Sequence, residues 1–141
     1  MNIPIIKQVP PESVKGKILF AGTDGKFYNA GGKELKPHFT PAMRTKCYGG
    51  SPAYPCMCHF GNRLCHHLIW ETFVGPRTKG MEIDHINGNK LDWSIDNLEE
   101  VTPAENRRRA KILRAMRAVG LDPRTYSRKE LLANFQKYTV E

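Results

Sequence analysis

The run Thr102-Pro103-Ala104-Glu105 fixes a helix start, and that start dictates how the thirty residues around it can fold. Thr102 is a good N-cap, Pro103 suits the first helical position, and Glu105 stands at capping-box spacing. Ile112, Leu113, Met116 and Val119 supply an apolar stripe, and Arg107, Arg108, Arg109, Lys111, Arg114 and Arg117 crowd the remainder. Gly120 is the expected stop, with Pro123 just beyond it. Upstream, Met81 to Ile86 alternates apolar and polar residues as a strand does, and ends at an Asn87-Gly88 turn. Residues 95–101 supply a returning strand or extended segment. The predicted order is strand, turn, extended segment, helix. A second helix begins at Ser127, with Glu130 at capping-box spacing and Leu131, Leu132, Phe135 and Tyr138 on one side.

The rest of the chain reads as shorter pieces. Residues 1–17 are rich in Pro and Lys and are expected to form an extended arm. "KILFAGTDGKFYNAGGKELKPH" reads as short strands punctuated by Asp-Gly and Gly-Gly turns. "TPAMRTKCYGGSPAYP" is loop-like, with Lys and Arg interleaved with Tyr48 and Tyr54. A hairpin follows, "AYPCMCHF", "GN", "RLCHHLIWETF", whose second arm becomes a short helix with Leu68, Ile69, Thr72 and Phe73 at helical spacing. No apolar run approaches the roughly 18 residues of a membrane helix. The first residues have no basic n-region or long apolar h-region, so no signal peptide is expected. Without a secretion signal, Cys47, Cys56, Cys58 and Cys65 are expected to be free thiols. Their spacing is wrong for a paired C-x-x-C site, which weighs against structural Zn²⁺.

The formal net charge is +8, and its distribution is informative. Residues 1–81 carry a net +7, residues 82–100 a net −5, and residues 101–141 a net +6. Broad positive charge suits a polyanion, most economically nucleic acid. An acidic island inside it repels that polyanion unless a cation lies between them.

The residue types around the island suit phosphodiester cleavage. Asp84 offers a hard anionic oxygen and Asn106 a neutral amide oxygen, a pair suited to Mg²⁺. His85 has an ordinary pKa near 6.5, so its neutral form can take a proton from water. Asn97 can hydrogen-bond across the loop. Two features oppose this reading. Adjacent strand residues face opposite ways, so Asp84 and His85 converge only where the strand distorts. An Asp-His pair before an Asn-Gly turn is, taken alone, more often a solvated strand end.

The conjunction carries the case. From "LCHHLIWETFVG" through "EIDHINGNKLDWSIDNLEEVTPAENRRRA", about fifty residues resemble the HNH homing-endonuclease family. "GKFYNAGGKELK" resembles the small N-terminal module that often precedes that core. The resemblance implies an α+β protein: a ββα-metal (His-Me finger) core, a small N-terminal β-rich module and C-terminal helices. The limits expected are an arm at 1–17, a DNA-contacting module at 18–61, the nuclease core at 62–119 and a helical extension at 120–141.

By the same resemblance, Asp84 and Asn106 hold one Mg²⁺ or Mn²⁺, His85 is the general base, and Asn97 orients the histidine and steadies the loop. His66 matches a family histidine that is structural or touches phosphate. Arg107, Arg108, Arg109, Lys111 and Arg114 are the expected phosphate clamp on double-stranded DNA. "LDW" at 91–93 replaces the usual Asn-rich sequence, and Glu100 stands where Trp is frequent. The implied setting is phage or mobile-element biology, hence the bacterial cytoplasm, with no membrane partner. The rivals are a DNA-binding protein that keeps the fold without cutting, and a zinc-stabilised interaction module.

Overall fold

The computed structural model describes residues 3–38 and 54–137, which form a mixed helix-and-strand protein. Close contacts divide the chain into two units. One holds the residues up to Arg77 together with Lys90–Ile95, and the other holds Thr78–Asn89 together with the residues from Asp96 onward. The two units divide between Arg77 and Thr78. The segment joining the two strands of the second unit belongs to the first.

The first unit begins with a four-stranded antiparallel meander: β1 (Ile6–Gln8), β2 (Phe20–Gly22), β3 (Phe27–Tyr28) and β4 (Glu34–Leu35). Strand alternation sends Ala21 and Phe27 into the core beside Val9, Val14 and Leu19. The expected arm at 1–17 is instead structured. Ile6–Gln8 pairs with β2, and the 3-10 turn Pro11–Val14 buries Ser13 and Val14. Two buried valines outweigh the disordering signal of the surrounding prolines. The hairpin of β5 (Cys56–Met57) and β6 (Arg63–Leu64) turns through Gly61 and Asn62, both at positive φ. It leads into α1 (Cys65–Phe73), which buries Leu68, Ile69 and Thr72 and packs against β1 and β2. Cys56 and Cys65 are fully buried free thiols, and Cys56 shares a 3.5 Å sulfur contact with Cys58. Cys47, Tyr48 and most of the basic loop lie outside the described residues.

The departure "LDW" has a structural use. Trp93 Nε1 donates to the Gly25 carbonyl at 2.6 Å, and Ile95 N donates to Thr23 O at 3.0 Å. Gly25 sits at φ +90°, and a Cβ there would lie 2.8 Å from the indole. The β2–β3 turn therefore needs glycine for both conformation and space.

The second unit is a strand pair followed by a helix. β7 (Glu82–His85) and β8 (Leu98–Val101) are antiparallel, with Asp84 opposite Glu99 and His85 opposite Leu98. The helix α2 (Pro103–Ala118) starts where the cap signals place it, with Thr102 Oγ1 accepting from Glu105 N at 3.1 Å. It ends at Ala118, so Val119 falls outside the stripe and is exposed. Gly120, at φ +85°, turns the chain away. The last helix, α3 (Arg128–Lys137), has a complete capping box: Glu130 N donates to Ser127 Oγ at 3.2 Å, and Ser127 N to Glu130 Oε1 at 3.0 Å.

Residues 120–137 are part of the second unit's core, not an appendage to it. Leu131 and Phe135 close the core formed by Ile86, Ile112, Leu113 and Met116. Each such buried side chain contributes about 1.5–3 kcal/mol. Tyr138 lies outside the described residues. None of the described helices is long and apolar enough to cross a membrane.

In the first unit, Glu71 on α1 accepts from Ser13 Oγ at 2.7 Å and pairs with Arg63 and Arg77. Burial pushes its pKa up, but the bonds from Arg63, Ser13 and Arg77 together hold it below the ordinary value of 4.5. A depressed carboxylate stabilises the fold above its unfolded pKa, and that contribution is lost as pH falls through the folded value. Glu71→Gln is expected to lower stability at pH 7 by about 1–3 kcal/mol. In urea titrations the gap to the parent should close as pH drops below about 4.5.

Candidate active site

The site is built on the face that β7 turns toward α2. Strand alternation puts Glu82 and Asp84 on that face, and helical spacing puts Asn106 and Arg109 one turn apart opposite them. Asn106 Nδ2 donates to Glu82 Oε2 at 2.5 Å. Arg109 Nη1 lies 3.3 Å from Asp84 Oδ2. Asp84 and Asn106 thus lie at one strand–helix interface. With Glu82 holding the amide nitrogen, Oδ1 is the atom that Asn106 can offer to a cation.

His85 is the last residue of β7 and is buried. The strand stays regularly paired through it, with His85 opposite Leu98. The turn begins immediately afterwards: Gly88 N donates to His85 O at 2.8 Å. Gly88 sits at φ +74°, and a Cβ there would lie 2.6 Å from the Arg117 guanidinium. Only glycine allows both this turn and the close approach of α2.

Asn97, at the end of the 3-10 turn Ile95–Asn97 just before β8, holds that turn from across the strand pair. Its Oδ1 accepts from Asn87 N at 3.0 Å, and its Nδ2 donates to Asn87 Oδ1 at 2.9 Å. Its own carbonyl accepts from Ile86 N at 2.8 Å. The buried side chain therefore pairs with the turn through both of its polar atoms.

The arginine burst divides in two. Arg109 is 7% exposed, and its guanidinium reaches Glu105 at 2.9 Å, Glu99 at 2.7 Å and Asp84, with Phe135 beneath it at 4.9 Å. The expectation that Arg109 contacts phosphate is thus corrected: it lies on the apolar phase of α2, three and four residues before Ile112 and Leu113. Arg108 is half-committed, pairing with Glu105 and donating to Phe135 O. Arg107, Lys111 and Arg114 are exposed, share one outer stripe of α2, and make no ion pair among the described residues.

Burial is the main force on Asp84, raising its pKa from 3.8 to about 6. Arg109 opposes the rise, while Glu99 and Glu105 add to it. Among the described residues no three His, Cys, Asp or Glu side chains form a metal-holding cluster. His66 is buried on α1 in the first unit, with ring neighbours His67 at 4.4 Å and Tyr54 at 5.4 Å. Lys90 Nζ lies 4.7 Å from the Tyr54 ring. Glu100 bonds Thr78 through N at 2.8 Å and Oγ1 at 2.7 Å, which fastens the lead-in to β7.

Sequence reasoning missed Glu82 and Glu99 as partners of Asn106 and Arg109, and read Asn87 as a turn residue without its pairing to Asn97. The two-residue strand period marks Glu82 as a companion of Asp84.

The strand pair and the first turns of α2 fall within a stretch that is similar to known proteins. Residues 63–108 match the HNH endonuclease family. The chain is 49% identical over 45 residues to "SPbeta prophage-derived putative HNH homing endonuclease YosQ" of Bacillus subtilis (strain 168), covering 32% of this chain and 26% of that relative. It is 49% identical over 41 residues to "Protein 3.8" of Escherichia phage T7, covering 29% of this chain and 34% of that relative. The matched stretch spans about a quarter to a third of these relatives. No solved structure matches the chain at a significant level.

Two outcomes check the site's electrostatics. Arg109→Met leaves buried Asp84 without its cation and is expected to cost about 3–5 kcal/mol, whereas Arg107→Met should stay within about 0.5 kcal/mol of the parent. For Asp84 the raised pKa means that the buried charge costs stability above about pH 6, which returns as pH falls toward 3.8. Asp84→Asn is therefore expected to stabilise the metal-free protein at pH 7.5 by about 1–3 kcal/mol, measured by thermal melting in EDTA.

Proposed function

We propose that the chain is a metal-dependent HNH endonuclease with a ββα-metal core that hydrolyses phosphodiester bonds in double-stranded DNA. One observation carries this reading. Within a segment that matches the HNH endonuclease family, Asp84 and Asn106 share the β7–α2 face, and Asn97 secures the turn directly after His85.

The donor set fits a divalent cation. Asp84 keeps a raised pKa even with Arg109 beside it, so its buried charge is undercompensated and favours a further cation. Asp84 and Asn106 would hold one Mg²⁺ or Mn²⁺, hard ions that accept a carboxylate and an amide oxygen and keep several waters. When bound, such an ion neutralises charge on the phosphate and on the leaving oxygen. Neutral His85 takes the proton of the attacking water. Asn97 keeps the turn after His85 in place. The expected products carry 5′-phosphate and 3′-hydroxyl ends.

The outer stripe of Arg107, Lys111 and Arg114 is the proposed backbone contact, with Arg108 beside it. The names of the two relatives, one prophage-derived and one from a phage, support a phage or mobile-element role in the bacterial cytoplasm. A DNA-binding protein that does not cut has no need of Asp84, His85, Asn97 and Asn106 together.

Supercoiled plasmid with Mg²⁺ or Mn²⁺ is expected to give nicked or linear DNA, and EDTA should prevent it. His85→Ala should slow turnover by about 10²–10⁴-fold. Cleavage by His85→Ala at the parent's rate would remove His85 as the base, and intact plasmid with the parent would leave the non-cutting reading.

A further inference from the structure

We propose that Arg128, the first residue of α3, is a positioning residue for this site: it fixes Asn97, and through Asn97 the turn that follows His85. The inference rests on the nuclease reading for its catalytic consequence and on hydrogen-bond geometry for its structural one. It involves a helix outside the segment that matches the family, which ends at residue 108.

The geometry follows from the antiparallel pairing. Ile86 N donates to Asn97 O, so residues 86 and 97 are a hydrogen-bonded pair. Such pairs alternate along an antiparallel ladder. The carbonyl of Leu98 therefore points off the outer edge of the two-stranded sheet, away from β7, and Asp96 lies in the 3-10 turn Ile95–Asn97 that leads into β8. Arg128 Nη1 donates to both carbonyls, at 2.9 Å to Asp96 O and 2.9 Å to Leu98 O. One guanidinium nitrogen thus spans the backbone on either side of Asn97.

From there the path is continuous. Asn97 pairs with Asn87 through both polar atoms, and Asn87 Oδ1 also accepts from Asn89 N at 2.8 Å. Arg128 Nη2 lies 3.7 Å from Glu99 Oε2, and Glu99 Oε1 holds Arg109, which holds Asp84. Arg128 therefore touches both the loop that braces the base and the ion-pair chain that reaches the metal-ligand candidate. The body of α3 keeps it there through Leu131 and Phe135.

An arginine with 41% of its side chain exposed has an obvious rival role as a phosphate contact. The two roles separate kinetically. A lost phosphate contact raises KM and flattens the salt dependence, whereas a lost brace lowers kcat.

The test compares Arg128→Met and Arg128→Lys with the parent. The readouts are plasmid cleavage with Mg²⁺ and the side-chain amide signal of Asn97 in metal-free ¹⁵N-labelled protein. Arg128→Met is expected to lower kcat by about 10–100-fold, as loss of a supporting partner typically does, with KM changed by no more than about twofold. The Asn97 amide should lose its protection from exchange with solvent. Arg128→Lys, whose ammonium can donate to both carbonyls, should recover most of both. If Arg128→Met does not fold, Arg128→Gln is read in its place. A higher KM with kcat intact, or an Asn97 amide that ignores the substitution, overturns the proposal. If the parent cuts no DNA but the Asn97 signal still responds, the brace stands and the nuclease reading falls.

Discussion

The second unit depends on one buried guanidinium. Arg109 is held by carboxylates from three elements: Asp84 on β7, Glu99 on β8 and Glu105 on its own helix. The ring of Phe135 on α3 covers it from below. A buried cation is tolerable only when paired and hydrogen-bonded. Satisfying Arg109 therefore fixes the strand pair, α2 and α3 to one another. The same pairing sets the state of Asp84, which is close enough to Arg109 to stay in register yet too deeply buried to be fully compensated. A core of leucines could hold the same elements together, but it could not hold a buried carboxylate in an ion pair.

What was legible in the sequence was local. The caps at Thr102 and Ser127 were readable because each is decided within four residues by a side chain bonding a nearby N–H. The Asn87-Gly88 turn was readable because few residues other than glycine reach positive φ without strain. The commitment of Arg109 was written in the sequence but masked by its neighbours. Arg107, Arg108 and Arg109 look alike as a run, and only helical phase against Ile112, Leu113 and Met116 separates the inner one. The strand at Ile6–Gln8 was hidden because its pairing partner lies more than ten residues away across a Pro-rich turn. Arg128 was hidden for the same reason over a longer separation. Its role depends on two carbonyls, and no side-chain pattern reports where a carbonyl points.

The loop between the two site strands shows why departures from a family pattern are informative. Residues 90–95 leave the second unit and join the first. Trp93 contacts the Gly25 carbonyl, and Ile95 N meets Thr23 O. An Asn-rich loop can bond itself through Asx turns. Here one large indole and a tight glycine turn serve instead. The cost is that Gly25 cannot be replaced without displacing Trp93. The gain is that a loop flanked by His85 on one side and Asn97 on the other is held by packing rather than by its own polar side chains.

The acidic island inside a basic chain now has a physical account. Glu82 and Glu99 are consumed by Asn106 and Arg109, Glu100 by Thr78, and Asp92 by Ser94, whose N and Oγ it accepts at 3.2 and 2.6 Å. Of these, Glu82 and Glu99 face α2 from β7 and β8. The cations Arg107, Lys111 and Arg114 lie on the opposite side of the same helix. A helix with its side chains is about 10–12 Å across, which sets the inner acids and the outer cations on separate faces of α2. A polyanion approaching α2 therefore meets the local cations rather than the segment's average charge, while the undercompensated Asp84 faces the strand–helix interface. The division of sign across one helix separates the carboxylates of the strand–helix interface from the cations of the outer stripe.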